Sequence, residues 1–387
     1  MSLSCAIIGT GPAALAAATA LVRKGIKPTL FERRPAPGWK LLVAGSSGLN
    51  ITYDCPEDEM PSFYSARQAE MGELLRRFPR STWLELLREL GEEPYVGSSR
   101  RYFIKSKTAA NLLKAWTESL EQKGARFEYN EVLTKVIPGS PLTLEFASGR
   151  KEKAQTALLA LGGGSWESEE QQWPEMLREL GLDVRPLEPA NAGFSFAADP
   201  AFFPKAEGKP VKGVILKTAK GERQGELMIT KYGLEGTPVY TVGTPGPATL
   251  DLKPDLDETK LAARIAQGRG SVWQKVENSA KLSQGALFLL KEFSPEKSWL
   301  SPNTAAAAIK GLKIELLAPR PLSESISARG GLSWDELDEN LQCKKIPGLF
   351  CAGEMLDWDA PTGGFLIQAC VSQGFAAASK IQALAAQ

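Results

Sequence analysis

The tightest constraint on the fold sits in the first 32 residues. The apolar run Cys5–Ile8 breaks at Gly9-Thr10-Gly11-Pro12-Ala13-Ala14, and an Ala/Leu-rich segment follows to Lys24 before Gly25. A short apolar run, a glycine turn and an apolar segment of helical length read as strand, tight turn and buried helix. A second strand is expected over 27–32, through Pro28-Thr29-Leu30-Phe31 to Glu32. The unit is βαβ, which commits the chain to an α/β fold with a parallel sheet.

The turn has the form Gly9-x-Gly11-x-x-Ala14. Gly9 permits the turn, Gly11 lets backbone approach a pyrophosphate, and Ala14 lets helix pack close to strand. The N–H groups and dipole of the helix start suit phosphates. Glu32 stands 21 residues beyond Gly11, at the strand end where a carboxylate bonds a ribose diol. Arg33-Arg34 beside it leave the question of a 2′-phosphate open.

Composition removes other chemistries. The chain of 387 residues has no histidine, which excludes a Ser-His-Asp triad, a Cys-His nucleophile, a histidine base and any histidine-ligated metal. A metal at the aspartates 335, 338, 357 and 359 is not expected, because no ligand spacing is met. Five cysteines form no CxxC pair, so a redox dithiol is not expected, and their scatter suits a reducing cytoplasm. Cys351 reads as a core residue. A net charge of +1 gives no global footprint for nucleic acid. No run of about 18 uncharged apolar residues appears, so no membrane span is expected. The N-terminus shows neither a basic n-region nor a cleavage site, so no secretory signal is expected.

Along the chain, 66–91 and 107–124 read as amphipathic helices and 125–160 as short strands. Composition shifts after Pro186 towards Pro, Gly and β-like runs at 213–218, 226–230 and 239–242, with a helical section over 256–296. The expected domains are 1–186 and 319–387, together binding the dinucleotide, with 187–318 as an inserted β-rich substrate domain.

Three segments favour FAD over NAD. The Gly/Ser-rich stretch from Gly38 through Lys40, Leu41, Ala44, Gly45, Ser46, Ser47 and Asn50 to Thr52 can wrap a large flat ligand, with Asn50 and Thr52 bonding ring or ribityl atoms. The run Ala160-Leu161-Gly162-Gly163-Gly164 brings backbone close to a cofactor. The strand Leu349-Phe350-Cys351 leads to Gly353-Glu354, placing a carboxylate for a ribityl hydroxyl, and Gly363-Gly364-Phe365 opens the last helix towards the flavin ring.

Together with Gly330-Gly331-Leu332-Ser333-Trp334-Asp335 and Gly225-Glu226-Leu227-Met228-Ile229-Thr230-Lys231-Tyr232-Gly233, these segments resemble the BaiN/YhiN-type family of NAD(P)/FAD-dependent oxidoreductases. The resemblance spans nearly the whole chain. It implies a Rossmann-like, glutathione-reductase-like FAD domain with an inserted mixed β/α domain, and one non-covalent FAD. It implies that Gly9, Gly11, Pro12, Ala13, Ala14, Glu32 and Lys40, with Arg33 beside them, hold the ADP half and pyrophosphate. Val132 then meets the adenine through its backbone. Gly353, Glu354, Gly364 and Phe365 serve the pyrophosphate, ribityl chain and ring, and Asp357 stands near the ring edge.

A cytoplasmic reductase of a conjugated C=C bond is the expected activity, on a planar small molecule. NADPH or NADH would dock transiently as donor, since the chain holds one dinucleotide fingerprint. Reduction also needs a proton, for which Tyr232 and Asp357 are the candidates. Three alternatives stay open: uridine reduction in RNA, drawing on Arg76, Arg77, Arg80, Arg100, Arg101, Lys105 and Lys107; a flavin hydroxylase or oxidase; and a flavin-binding sensor without turnover. Trp39, Trp166, Trp334 and Trp358 lie beside the proposed cofactor loops and either wall a planar substrate or pack.

Overall fold

The computed structural model describes residues 3–45, 48–106, 108–167 and 171–386. It divides the chain into two compact units, one of Met1–Glu188 with Ile326–Gln387 and one of Pro189–Ser325.

The first unit is built on a five-stranded parallel sheet. At its centre runs β1 (Cys5–Ile8), buried at all four residues. It lies between β2 (Thr29–Glu32) and the strand Thr156–Leu159, with Arg126–Tyr129 and Leu349–Cys351 at the edges. A parallel strand covered on both faces needs apolar residues throughout, which is why Cys5-Ala6-Ile7-Ile8 shows no alternation. The helix α1 (Pro12–Arg23) starts on a proline at its first position and buries every residue from Ala13 to Val22. Its small side chains allow close packing on the C-terminal helix Phe365–Ala385. A Cβ on Gly374 would stand 2.2 Å from the Ala13 carbonyl oxygen. The unit also holds two three-stranded antiparallel sheets: Leu133–Ile137, Leu142–Phe146 and Lys151–Ala154 form one, and Thr52–Tyr53, Arg101–Ile104 and Pro94–Val96 the other.

The second unit is a closed six-stranded barrel in the order Phe194–Phe196, Gly233–Glu235, Gly221–Ile229, Pro210–Thr218, Gly246–Asp251 and Leu312–Pro319. Its core includes Val211, Leu216, Leu227, Ile229, Leu234 and Leu250, all fully buried. Helices Glu258–Ala266, Val272–Ser279, Gln284–Phe293 and Pro302–Lys310 belong to the same unit. Asp257, Ser271 and Ser301 cap three of them by accepting a first-turn N–H.

Several expectations need correction. The stretch 66–91 is two helices, Gln68–Arg77 and Arg80–Glu89, because Pro79 cannot continue the first. The run 239–242 is not a strand but part of the helix Thr237–Val242, begun by Gly236 at φ 121° and by Pro238. The helix expected over 107–124 is present as Ala109–Gln122, capped by Thr108, and Lys107 lies outside the described residues. The second unit also runs past 318 to Ser325, since Leu312–Pro319 closes the barrel by pairing with both Gly246–Asp251 and Phe194–Phe196. Among the described residues no helix is long and apolar enough to cross a membrane.

Candidate nucleotide-binding site

The parallel strands of the first unit end on one edge, and the loops that follow them surround a cleft of about 500 Å³. That volume is in the range of small-molecule and cofactor sites. Its walls come from the loops after β1, β2, Thr156–Leu159 and Leu349–Cys351, with contributions from 38–41, 131–133 and 171–173.

The turn after β1 is fixed by contact. Gly9 sits at φ 105°, and a Cβ there would lie 2.4 Å from the Ala160 carbonyl oxygen, so only glycine fits. Its N–H donates to the Phe31 carbonyl at 2.8 Å. Gly11 differs. No heavy atom lies within 4 Å of where its Cβ would stand, so the space beside it is open.

Glu32 is buried and held from two sides. The Thr10 hydroxyl donates to its Oε2, and the Arg34 backbone N–H donates to its Oε1 at 2.9 Å. Thr10 in turn accepts the Gly38 N–H at 3.0 Å, tying the turn to the helix Trp39–Ala44. Lys40 reaches from that helix to Glu354, Nζ to Oε2, at 2.5 Å. Glu354 follows Gly353, whose N–H donates to the Gln373 amide oxygen at 2.6 Å and whose carbonyl accepts from Trp358 Nε1 at 2.9 Å.

These residues fit a flavin dinucleotide. Glu354 Oε1 is buried and, among the described residues, has no partner; Trp173 Nε1, also in the cleft wall, has none. Asn50 Oδ1 and Thr52 Oγ1 are buried and unpartnered in the loop read as the ring end. Buried polar groups are almost always paired, so such a set marks where a polar ligand completes the bonding. Open space beside Gly11 and the N–H groups at the start of α1 supply room and donors for a pyrophosphate.

Of the expected cofactor residues, Gly9, Gly11, Pro12, Ala13, Glu32, Arg33, Lys40, Leu41, Val132, Ala160, Gly162, Gly353 and Glu354 line the cleft. Ala14 is fully buried behind it. Ala44, Gly45, Asn50, Thr52, Asp357, Gly363, Gly364 and Phe365 are not in its wall. Gly45 serves packing, since a Cβ would stand 2.4 Å from Ala109 Cβ. Gly364, at φ 102°, brings the start of the last helix onto the backbone of Thr52, 2.5 Å from where its Cβ would be. Phe365 is buried, with its ring stacked 4.5 Å from that of Phe63. Ser46 and Ser47 lie outside the described residues.

Asp357 Oδ2 is taken by two guanidiniums, Arg67 at 2.9 Å and Arg185 at 2.7 Å. Tyr232 belongs to the second unit. Its hydroxyl donates to Glu235 Oε1, and the Arg320 guanidinium lies 4.3 Å from its ring centre. Burial, and after it the hydrogen bond and charge of Glu235, push its pKa well above the usual tyrosine range.

The basic stretch is mostly committed. Arg76 pairs with Glu73, Lys105 with Glu93, Arg77 binds Asn340, and Arg80 donates to the carbonyls of Tyr53 and Cys55. Arg100 lies over the Tyr53 ring at 5.6 Å. Among the described residues no group of three acidic or cysteine side chains is placed to hold a metal ion. Cys351 is fully buried. Trp39 is half exposed beside Arg34, and Trp334 and Trp358 are buried, each with its indole N–H bonded to backbone.

Sequence reasoning missed Thr10, Glu167, Trp173 and Gln373. Thr10 lay inside the quoted turn, but its bond to Glu32 crosses 22 residues. No local pattern marks the others.

A Rossmann-type parallel sheet with a dinucleotide-fitting cleft at its carboxyl edge is the framework of an FAD-dependent oxidoreductase, and that is the class of this protein. The HI0933-like protein Rossmann domain matches residues 3–380, and the chain belongs to that family. The 3-dehydro-bile acid delta(4,6)-reductase of Clostridium scindens is 24% identical over 413 residues, covering 96% of this chain and 97% of that protein. Among solved structures, the 3-ketosteroid delta1-dehydrogenase of Sterolibacterium denitrificans superposes with a TM-score of 0.53 at 10% identity, covering 99% of each chain. The 3-ketosteroid-delta4-(5alpha)-dehydrogenase of Rhodococcus jostii gives 0.50 at 15%, covering 100% of this chain and 97% of its own. At such identities the structures speak for the fold alone.

Proposed function

We propose that this chain reduces a conjugated C=C bond in a planar small molecule. The observation that carries the reading is the similarity, along nearly the whole of both chains, to a reductase of bile-acid double bonds. FAD, when bound, supplies the hydride, having taken it from NADPH or NADH docked transiently.

The chain's own residues hold and orient. The Gly11 and Ala13 N–H groups face the pyrophosphate at the start of α1, Pro12 between them having none, and Lys40 and Arg33, paired with Glu354 and Glu167, stand beside it. Ala14 keeps the helix close to the sheet. Glu32 takes the ribose diol and the Val132 backbone meets the adenine. Leu41, Ala160 and Gly162 shape the walls. Gly353 and Glu354 serve the pyrophosphate and ribityl chain, the unpaired Oε1 accepting a ribityl hydroxyl. Ala44, Asn50, Thr52, Gly363 and Gly364 make the ring end, with Gly45 and Phe365 packed in support. There the 21-residue last helix presents its positive end to charge on the ring edge. Asp357, fixed by Arg67 and Arg185, sets charge beside that edge.

With no histidine in the chain, Tyr232 is the proposed proton donor. A donor must be protonated at working pH, and burial with Glu235 keeps this phenol so. Anaerobic mixing tests the proposal. NADPH or NADH bleaches the yellow protein, and a steroid 4-en-3-one restores the colour. Tyr232→Phe leaves bleaching unchanged and slows recovery by about a hundredfold or more, the usual scale of a lost general acid. Colour restored by oxygen and by no enone points instead to an oxidase or hydroxylase and overturns the reading.

A further inference from the structure

Two loops of the first unit are tied together across the end of β1. β1 pairs with β2 on one side and with Thr156–Leu159 on the other, all parallel. Arg33 and Arg34 directly follow β2, and Glu167 lies in the loop after Thr156–Leu159. Arg33 Nη2 stands 2.5 Å from Glu167 Oε1, and Arg34 Nη2 stands 2.5 Å from Glu167 Oε2. Neighbouring strands are about 4.8 Å apart, so this double ion pair spans roughly 10 Å, the width of β1 and both its gaps. The turn from Gly9 to Gly11 leaves β1, the strand between the two, and all the residues concerned line the cleft.

The tie is anchored. Arg34 holds Glu32 through its own N–H at 2.9 Å, and its guanidinium lies 4.5 Å from the Trp39 ring. Glu167 has a side chain only 13% exposed, against 38% and 34% for the two arginines. One carboxylate between two guanidiniums leaves the trio itself with one positive charge. It also engages both arginines that left a 2′-phosphate open in the sequence.

We propose that Glu167, with Arg33 and Arg34, is a clasp that closes over the bound dinucleotide and limits its release. The proposal rests on the FAD reading. The rival account is that Glu167 stands where a ligand's anionic group belongs and leaves when the ligand arrives. The two differ in sign, because breaking a clasp speeds release whereas removing a stand-in slows it.

The experiment follows free-FAD fluorescence after dilution of the yellow holoenzyme. For the clasp, Glu167→Gln releases FAD about threefold to tenfold faster, the scale of a part-exposed multiple ion pair. Added salt then speeds release from wild type and scarcely from the variant. Replacing Arg34 by Gln gives part of that acceleration, and adding it to Glu167→Gln gives no more than Glu167→Gln alone. The melting temperature of FAD-free protein stays at the wild-type value, separating a clasp from a fold contact. Release from Glu167→Gln at the wild-type rate, or slower, overturns the clasp while leaving the FAD reading intact. Wild-type protein that takes up no FAD overturns both.

Discussion

The barrel of the second unit and the cleft of the first use similar residues and leave them in different states. Of the buried side-chain polar atoms without a partner among the described residues, only Ser294 Oγ belongs to the second unit. The first unit holds eight, and those of Asn50, Thr52, Trp173 and Glu354 lie in the cleft wall or the proposed ring-end loop. An unpaired buried donor or acceptor costs about 1–3 kcal/mol. A site keeps such groups when a ligand completes them, so the contrast separates a scaffold from a socket. Glycine tells the same story. In the barrel a Cβ on Gly233 would stand 1.9 Å from the Phe194 carbonyl oxygen, a requirement of the strands, whereas Gly11 has empty space beside it.

Substitutions sharpen this contrast. The largest effect is expected at Gly11. A Cβ at Gly11 has no heavy atom within 4 Å, so Gly11→Val is expected to fold and to melt near wild type. FAD affinity nevertheless falls by more than about a thousandfold, roughly 4 kcal/mol, because backbone no longer approaches the pyrophosphate. Titration of the variant with FAD measures this, and a variant that purifies yellow refutes the assignment of the turn.

Leu227→Ala in the barrel is expected to do the reverse. Leu227 is fully buried, and truncation costs about 2–5 kcal/mol of unfolding free energy while the FAD dissociation constant stays put. If FAD affinity falls with stability, scaffold and socket are not separate.

The smallest effect is expected at Glu336. Burial pushes its pKa up. The Lys345 ammonium at 2.9 Å and the Asp183 N–H at 3.0 Å outweigh burial and hold it below the usual carboxylate range. A carboxyl whose folded pKa is depressed stabilises above its unfolded pKa of about 4.3, and the gain is lost as pH falls through the folded value. Glu336→Gln should therefore lower the urea midpoint at pH 7, and wild type should converge on the variant in acid. An equal gap at both extremes excludes linkage to this group.

The nucleotide half was legible because its signals are local. Gly9, Gly11, Ala14 and Glu32 fall within one βαβ unit, where turn, helix and strand each demand a residue type at a fixed offset. The barrel was not, since closure depends on pairing Leu312–Pro319 with Phe194–Phe196, more than a hundred residues away. The boundary at 318 cut that strand for the same reason. Pro79 did mark the break between Gln68–Arg77 and Arg80–Glu89, but apolar spacing on both sides concealed it. Thr10, Glu167 and Gln373 act through partners on distant elements and carry no offset to read.

The most direct test of the account is the flavin content of the purified protein, by visible spectrum and by acid release of the bound chromophore. The prediction is one non-covalent FAD per chain, released intact by acid. A colourless protein that takes up no FAD on titration would contradict it.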